Sequence, residues 1–329
     1  MPGSGLPTLS VVVPNYNHAR YLPVCLSNIL KQSIQPIEVI VLDDASTDNS
    51  LEVIRGFSAQ NPVIRLVQNE KNLGVMPNLN KGVELSRGEY VYIASADDVV
   101  VAGLFEKSLR LLAQHPQAAY CCAMAEWRET FSGLAWQMGG SMPEKPGYLS
   151  PEELVRLGRK GRLCLVSSSG VQRRDFLRAA GSFPPQLRWH ADWFAFYVTG
   201  LRHGVCFIPE VLSLANLLPT SFYQSGSKRL EHRQVLRNLL DMLHSELYAD
   251  VLPRIRESGA LSLFELPLLR LLISHPKYRH LITPTFLHQA LRRSAELRAK
   301  KLLPTWLARW LLKRFYRAPV TQSPSLATD

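Results

Sequence analysis

Along the first 125 residues, short runs of aliphatic, β-branched and aromatic residues alternate with stretches whose apolar positions recur every three or four residues. The short runs predict strands over 9–13, 37–42, 63–68, 89–94 and 118–125, each closed by turn-forming residues. The longer stretches predict helices over about 19–32, 50–60, 76–86 and 103–115. Ser46, Thr47 and Asp48 precede the second helix and are cap-type residues. This strand–helix alternation predicts an α/β fold, with a mostly parallel sheet covered by helices on both faces. A turn is expected at Ser132-Gly133, and the Gly- and Pro-rich stretch 139–148 reads as a mobile loop. From residue 229 onward the pattern turns helical. Leu236, Leu239, Leu240, Leu243 and Leu247 repeat at helical spacing, and 268–273, 287–297 and 306–315 continue in that style. The chain therefore divides at 1–228 and 229–329, with 321–329 read as a frayed tail.

Charge sharpens that division. Residues 229–329 hold 17 Lys+Arg against 8 Asp+Glu, so they carry nine of the chain's eleven net positive charges. Trp306, Trp310 and Phe315 stand among Arg309, Lys313, Arg314 and Arg317, a pattern that suits either an anionic membrane surface or a core helix with solvated charges. No RNA- or DNA-binding module is visible, so nucleic acid is not an expected partner. No run of about 18 apolar residues suggests a spanning helix, and nothing at the start of the sequence reads as a signal peptide. The five cysteines lack C-x-x-C spacing and fit a reduced, cytoplasmic setting better than a disulfide framework.

The candidate chemistry sits where strands end. Val39–Leu42 runs into Asp43-Asp44-Ala45-Ser46-Thr47-Asp48, and Tyr90–Ala94 runs into Ser95-Ala96-Asp97-Asp98. In open α/β sheets ligands bind outside the carboxyl ends of the strands. Two acidic pairs there suggest a hydrogen-bond acceptor for a base or sugar and a divalent-metal ligand. The bland alternatives are turn or cap roles for the same residues.

These segments, taken in order, resemble the family 2 glycosyltransferases of GT-A fold. Ser10–Asn17 is similar to the family's first strand and Pro-x-Tyr-Asn turn, and Asp43–Asp48 to its Asp-Asp-Gly-Ser-x-Asp segment, with Ala45 in the glycine's place. Asn72-Leu73-Gly74, Asn80-Lys81-Gly82 and Gly88-Glu89-Tyr90 match its Asn-x-Gly, Asn-x-Gly and Gly-Glu-Tyr series. Asp97-Asp98 stands at its Asp-x-Asp motif, and Gly181-Ser182-Phe183 with Ala191-Asp192-Trp193 resembles its acceptor-side segment.

The resemblance implies an inverting transfer of sugar from a nucleotide-sugar donor, UDP being favoured, to a glycan or lipid-linked acceptor of the cell envelope. It implies Mg²⁺ or Mn²⁺ held by Asp98, with Asp97 on the metal or ribose. Asp44 would accept from the base, with Pro14 and Tyr16 as walls and Asn17, Asn72, Gly74 and Asn78 lining the nucleotide pocket. Asp192, an acid among aromatics, would be the general base, its raised pKa suited to that work; capping the following helix is the alternative. The catalytic domain would then be 1–228, with the basic helical region touching the inner face of the cytoplasmic membrane. Two departures stand out. Ser95 replaces an acid, and Ala215-Asn216-Leu217-Leu218 lacks the family's Arg and His. Arg173, Arg174, His190 or Lys228 are the substitutes considered for holding the diphosphate, and a catalytically impaired relative is the competing reading.

Overall fold

The computed structural model describes residues 5–130, 134–218 and 229–302. Its elements run β1 Leu9–Asn15, α1 Leu22–Leu30, β2 Glu38–Asp43, α2 Ser50–Gln60, β3 Ile64–Gln68, α3 Val75–Leu85, β4 Tyr90–Ile93, β5 Val99–Val100 and α4 Leu104–Gln114. There follow β6 Tyr120–Glu129, β7 Ala135–Met138, β8 Gly147–Leu149, α5 Pro151–Arg159, β9 Val171–Arg173, α6 Arg174–Ala179, α7 Ala191–His203 and β10 Val205–Leu217. The helices α8 Arg229–Leu243, α9 Leu252–Ser258, α10 Glu265–Ser274 and α11 Pro284–Leu302 complete the described chain.

One sheet runs in the order β3-β2-β1-β4-β9-β6-β10-β5, with β7 on β6 and β8 on β10. Its body is parallel: β1 pairs with β2 and β4, β2 with β3, and β6 with β10 along most of their lengths. Strand alternation divides the core in two. Val11, Val13, Val39 and Val41 face α1, α2 and α4, while Val12, Ile40 and Leu42 face α3 and α7. That is the two-faced cover expected of continuous Val/Ile/Leu strands. Gly82 brings α3 against the sheet, since a Cβ there would come within 2.3 Å of Val12 Cγ1.

Helices α8 to α11 continue the α7-side cluster, which runs without a break from Val12 to Ala290. Tyr248 Oη donates to the Ala180 carbonyl (3.1 Å), and Gln289 Nε2 donates to that of Gly158 (2.7 Å). The leucine repeat stops one step early: α8 ends at Leu243, and Leu247 is 53% exposed while Tyr248 takes the buried place.

The stretch expected to be a mobile loop is pinned instead. Met142 is 2% exposed, Ser141 and Arg162 exchange bonds of 2.7 and 2.8 Å, and the Cys164 N–H meets Met142 Sδ at 3.4 Å. Composition marked it as loop; a buried Met and two reciprocal bonds fix it. Ser132-Gly133, Lys228, the 306–315 segment and the 321–329 tail lie outside the described residues. Among the described residues no helix is long and apolar enough to cross a membrane.

Candidate active site

β1 lies between β2, which follows it in the chain, and β4, reached by a crossover back from β3, so the strand ends open a crevice there. A cleft of about 840 Å³ occupies it, lined by the ends of β1, β2 and β4, by α3 and α7, and by the end of β10. Pro14, Tyr16, Asn17, Asp44, Asn78, Asp97, Asp98 and Asp192 all line it. Asn72 and Gly74 do not; they reach the site through Asp44.

The first turn is built by side-chain bonds to backbone. Asn17, at φ 55°, accepts the Thr47 N–H at 2.7 Å, and Asp48, just ahead of α2, accepts the Ser50 N–H at 3.0 Å. Asp43 takes the Asn15 amide (2.8 Å) and the Ser46 N–H (3.0 Å), a structural role. Asp44 is 3% exposed and accepts three bonds. They come from Asn69 Nδ2 (2.8 Å), the Leu73 N–H (2.9 Å) and the Gly74 N–H (2.9 Å). A carboxylate offers about four lone-pair sites, so this one fastens the 69–74 loop and still has capacity to face the cleft. Asn78 stands beside it, accepting from Asn69 at 3.0 Å.

The second acidic turn is braced across the sheet by Asn216 on β10. The Asn216 N–H donates to Asp98 Oδ1 (2.9 Å), and its Nδ2 donates to the Asp97 carbonyl (2.6 Å). Cys25 Sγ meets the Ser95 carbonyl at 3.6 Å. Burial lifts the Asp97 carboxyl above its ordinary range, against the pull of nearby His18. Asp98 is lifted further, first by burial and then by the Asp97 charge, with the Asn216 N–H opposing. Two crowded carboxylates relieve each other best by sharing a cation. Among the described residues no three acidic, His or Cys side chains gather into a complete metal cage. The pair would nevertheless suit a hard divalent ion, with Asp98 and Asp97 as its carboxylate ligands.

On the opposite wall Asp192 sits in the first turn of α7. Its Oδ1 accepts the Trp193 N–H (2.7 Å) and its Oδ2 accepts Ser167 Oγ–H (3.0 Å). Burial raises its pKa, while those bonds pull the other way. His190 turns away from the cleft. Its Nε2 accepts from Trp189 Nε1 (3.1 Å) and meets His232 Nε2 of α8 at 3.2 Å. Burial, then the neighbouring His232, holds its pKa down at about 3.

Three of the diphosphate-binding substitutes are therefore engaged elsewhere, and the fourth, Lys228, lies outside the described residues. Arg173 donates to the Pro116 carbonyl (2.6 Å), Arg174 to that of Ser86, and His190 belongs to the contact with α8. Among the described residues, the basic side chains that border the cleft are His18 and Arg20, four and six residues after Pro14. Sequence reasoning also passed over Asn216, Ser168, Gln172 and Trp127 as cleft residues. The chain's own departure from the pattern at 215–218 was the one available signal for Asn216.

The fold and sequence both have relatives. A solved structure of S. aureus TarS 1-349 in complex with UDP-GlcNAc superposes with a TM-score of 0.59 at 17% identity, covering 87% of this chain and 92% of that one. That likeness speaks to the GT-A-like fold. The uncharacterized glycosyltransferase YibD of Escherichia coli is 32% identical over 257 residues, 74% of this chain and 72% of YibD. Glycosyltransferase GlyG of Streptococcus pneumoniae is 42% identical over 98 residues, which span 30% of this chain and only 33% of GlyG. The model for glycosyl transferase family 2 matches residues 10–177, from β1 through α6 and so through both acidic turns. The chain belongs to glycosyl transferase family 2, and the protein is a glycosyltransferase.

Proposed function

We propose that the protein transfers a sugar, with inversion, from a nucleoside-diphosphate donor, UDP being favoured, to a hydroxyl of a cell-surface polysaccharide or glycolipid precursor. The observation that carries this reading is the meeting of Asp44, the Asp97–Asp98 turn and Asp192 in one cleft at the switch point. The UDP-GlcNAc complex of TarS adds support for a nucleotide sugar.

Each residue has work in that scheme. Asp44 accepts the base N–H with the capacity its loop bonds leave. Pro14 and Tyr16 flank the base, and Asn17 and Asn78 shape the pocket. Asn72 and Gly74 orient Asp44. When bound, Mg²⁺ or Mn²⁺ on Asp98 and Asp97 supplies positive charge for the departing diphosphate. Arg20 adds charge at the same rim, with His18 beside it. Asp192 takes the proton of the acceptor hydroxyl as its oxygen bonds to the anomeric carbon and the carbon–phosphate oxygen bond breaks on the opposite face. Residues 1–228 form the catalytic domain in this reading. The basic region 229–329 meets an anionic membrane surface at the cytoplasmic side; exposed Leu287 and Leu291, one turn apart on α11 beside Arg292 and Arg293, favour that partner.

The test is turnover of a nucleotide-sugar panel with Mn²⁺, Mg²⁺ or EDTA, with membrane extract as acceptor source. Metal-dependent use of one donor, lost in Asp98→Ala and Asp192→Asn, is expected. Binding of nucleotide without turnover under every condition leaves a catalytically impaired relative as the better description.

A further inference from the structure

Among the described residues, five buried polar atoms around the cleft lack a hydrogen-bond partner, and they are not scattered evenly. Asn15 Oδ1 and His18 Nδ1 lie on the nucleotide side. Ser168 Oγ and both amide atoms of Gln172 lie on the floor between α3 and α7. Gln172 is the demanding case. It is 2% exposed, sits on the short strand β9 opposite Val91 and Tyr120, and satisfies neither its Nε2 nor its Oε1. Leaving a buried amide unpaired is costly, and native proteins rarely do so without a reason.

Ser168 is presented from a rigid turn. Its carbonyl accepts Tyr92 Oη (2.9 Å) and Ser213 Oγ (3.1 Å), while neighbouring Ser169 Oγ exchanges bonds with the Ala123 backbone at 3.0 and 2.7 Å. Ser167, on its other side, holds Asp192. The turn thus links the strand bearing the Asp97–Asp98 turn to the wall bearing Asp192. In a displacement with inversion, the sugar must lie between the leaving diphosphate and the base.

We infer that Gln172 and Ser168 form the subsite for the transferred sugar, reading its ring hydroxyl or acetamido substituents. The Gln amide donates and accepts at once, as those substituents do, and the serine hydroxyl adds one adjustable partner. This rests on the donor reading above. It names residues that distinguish one sugar from another, apart from those that hold nucleotide.

Calorimetry in the presence of Mn²⁺ tests it, using UDP, GDP and dTDP beside UDP-glucose, UDP-galactose, UDP-N-acetylglucosamine and the matching GDP- and dTDP-sugars. The full chain is compared with Gln172→Met, which keeps the volume without the amide, with Gln172→Ala, and with Ser168→Ala. The expected result is unchanged affinity for the bare nucleotide, which also reports a folded site, and loss of about three- to tenfold in the extra affinity conferred by one sugar. Hydroxyl and acetamido recognition separate by whether UDP-glucose or UDP-N-acetylglucosamine loses more. Equal affinity of wild type and all three variants for every nucleotide sugar overturns the inference, as does a parallel fall for bare nucleotide. Failure of wild type to bind any nucleotide overturns the donor reading instead.

Discussion

Asn216 holds the two halves of the acidic turn at once, its backbone N–H on Asp98 Oδ1 at 2.9 Å and its side-chain amide on the Asp97 carbonyl at 2.6 Å. Asn216→Ala removes the second bond and keeps the first. We expect the apparent Mn²⁺ affinity to fall about three- to tenfold, the worth of one hydrogen bond, with a smaller change in saturated rate. A metal titration of donor turnover reads both, and equal metal dependence in the two proteins would remove Asn216 from the site.

For Asp192 the burial that raises its pKa has two consequences of opposite sign. As a base it must be ionised, so the rate should rise with pH through that raised pKa, above the ordinary carboxylate value of 3.8. As a buried acid it binds its proton more tightly folded than unfolded. Its contribution to stability is therefore full below 3.8 and is lost as pH climbs through the folded pKa. Asp192→Asn should lower kcat by about 10²–10⁴-fold while raising Tm at neutral pH by about 1–3 °C. A variant that loses both activity and Tm would point to a structural Asp192.

Ala45 occupies a glycine conformation. Its φ of 60° lies in the left-handed region, where a Cβ costs about 1–2 kcal/mol, against which glycine's greater unfolded freedom costs about 0.5–1 kcal/mol. Ala45→Gly should therefore gain up to about 1.5 kcal/mol in urea unfolding, with nucleotide affinity unchanged. Loss of stability would mean that the αL strain is absorbed elsewhere in the turn.

The His190–His232 pair predicts acid sensitivity. Both imidazoles have lowered pKa values, so both resist protonation when folded. Their contribution is complete above about 6.5 and is lost as pH falls toward the folded values. His190→Gln keeps an acceptor for Trp189 Nε1 and removes one titration. Denaturant unfolding at pH 7 and pH 5 should show a shallower decline for the variant; identical slopes would place the sensitivity elsewhere.

Much of the frame was legible because continuous Val/Ile/Leu runs and the leucine spacing of α8 are local signals. Asp44, Asp97, Asp98 and Asp192 could be singled out because they follow such runs or sit in ordered motifs. β9 was not legible: Val171-Gln172-Arg173 is too short for a periodicity, yet it separates β4 from β6 in the sheet. Gln172 was lost with it. The helix start at Ser150-Pro151-Glu152-Glu153 was passed over in the sequence, although both bonds of its capping box form. Asn216 on Asp98 and His190 on His232 join residues 118 and 42 apart in the chain. No window of sequence contains such pairs. The 45-position φ, by contrast, was foreshadowed by the glycine that the family pattern expects there.

The α7–β10 segment gives the cleft a fixed gauge. Asp192 stands at one end of this continuous stretch and Asn216, the brace of the acidic turn, at the other, with Gly204 at the corner. A side chain at Gly204 would strike Tyr148 Oη at 2.4 Å and the Leu149 carbonyl at 2.6 Å, so the corner cannot be reshaped cheaply. In the proposed mechanism, the distance from leaving-group end to base end would then be set by the length of one helix and one strand. On the subsite inferred above, retuning the enzyme for a bulkier or smaller donor would mean re-cutting the floor at Ser168 and Gln172 rather than moving the corner at Gly204.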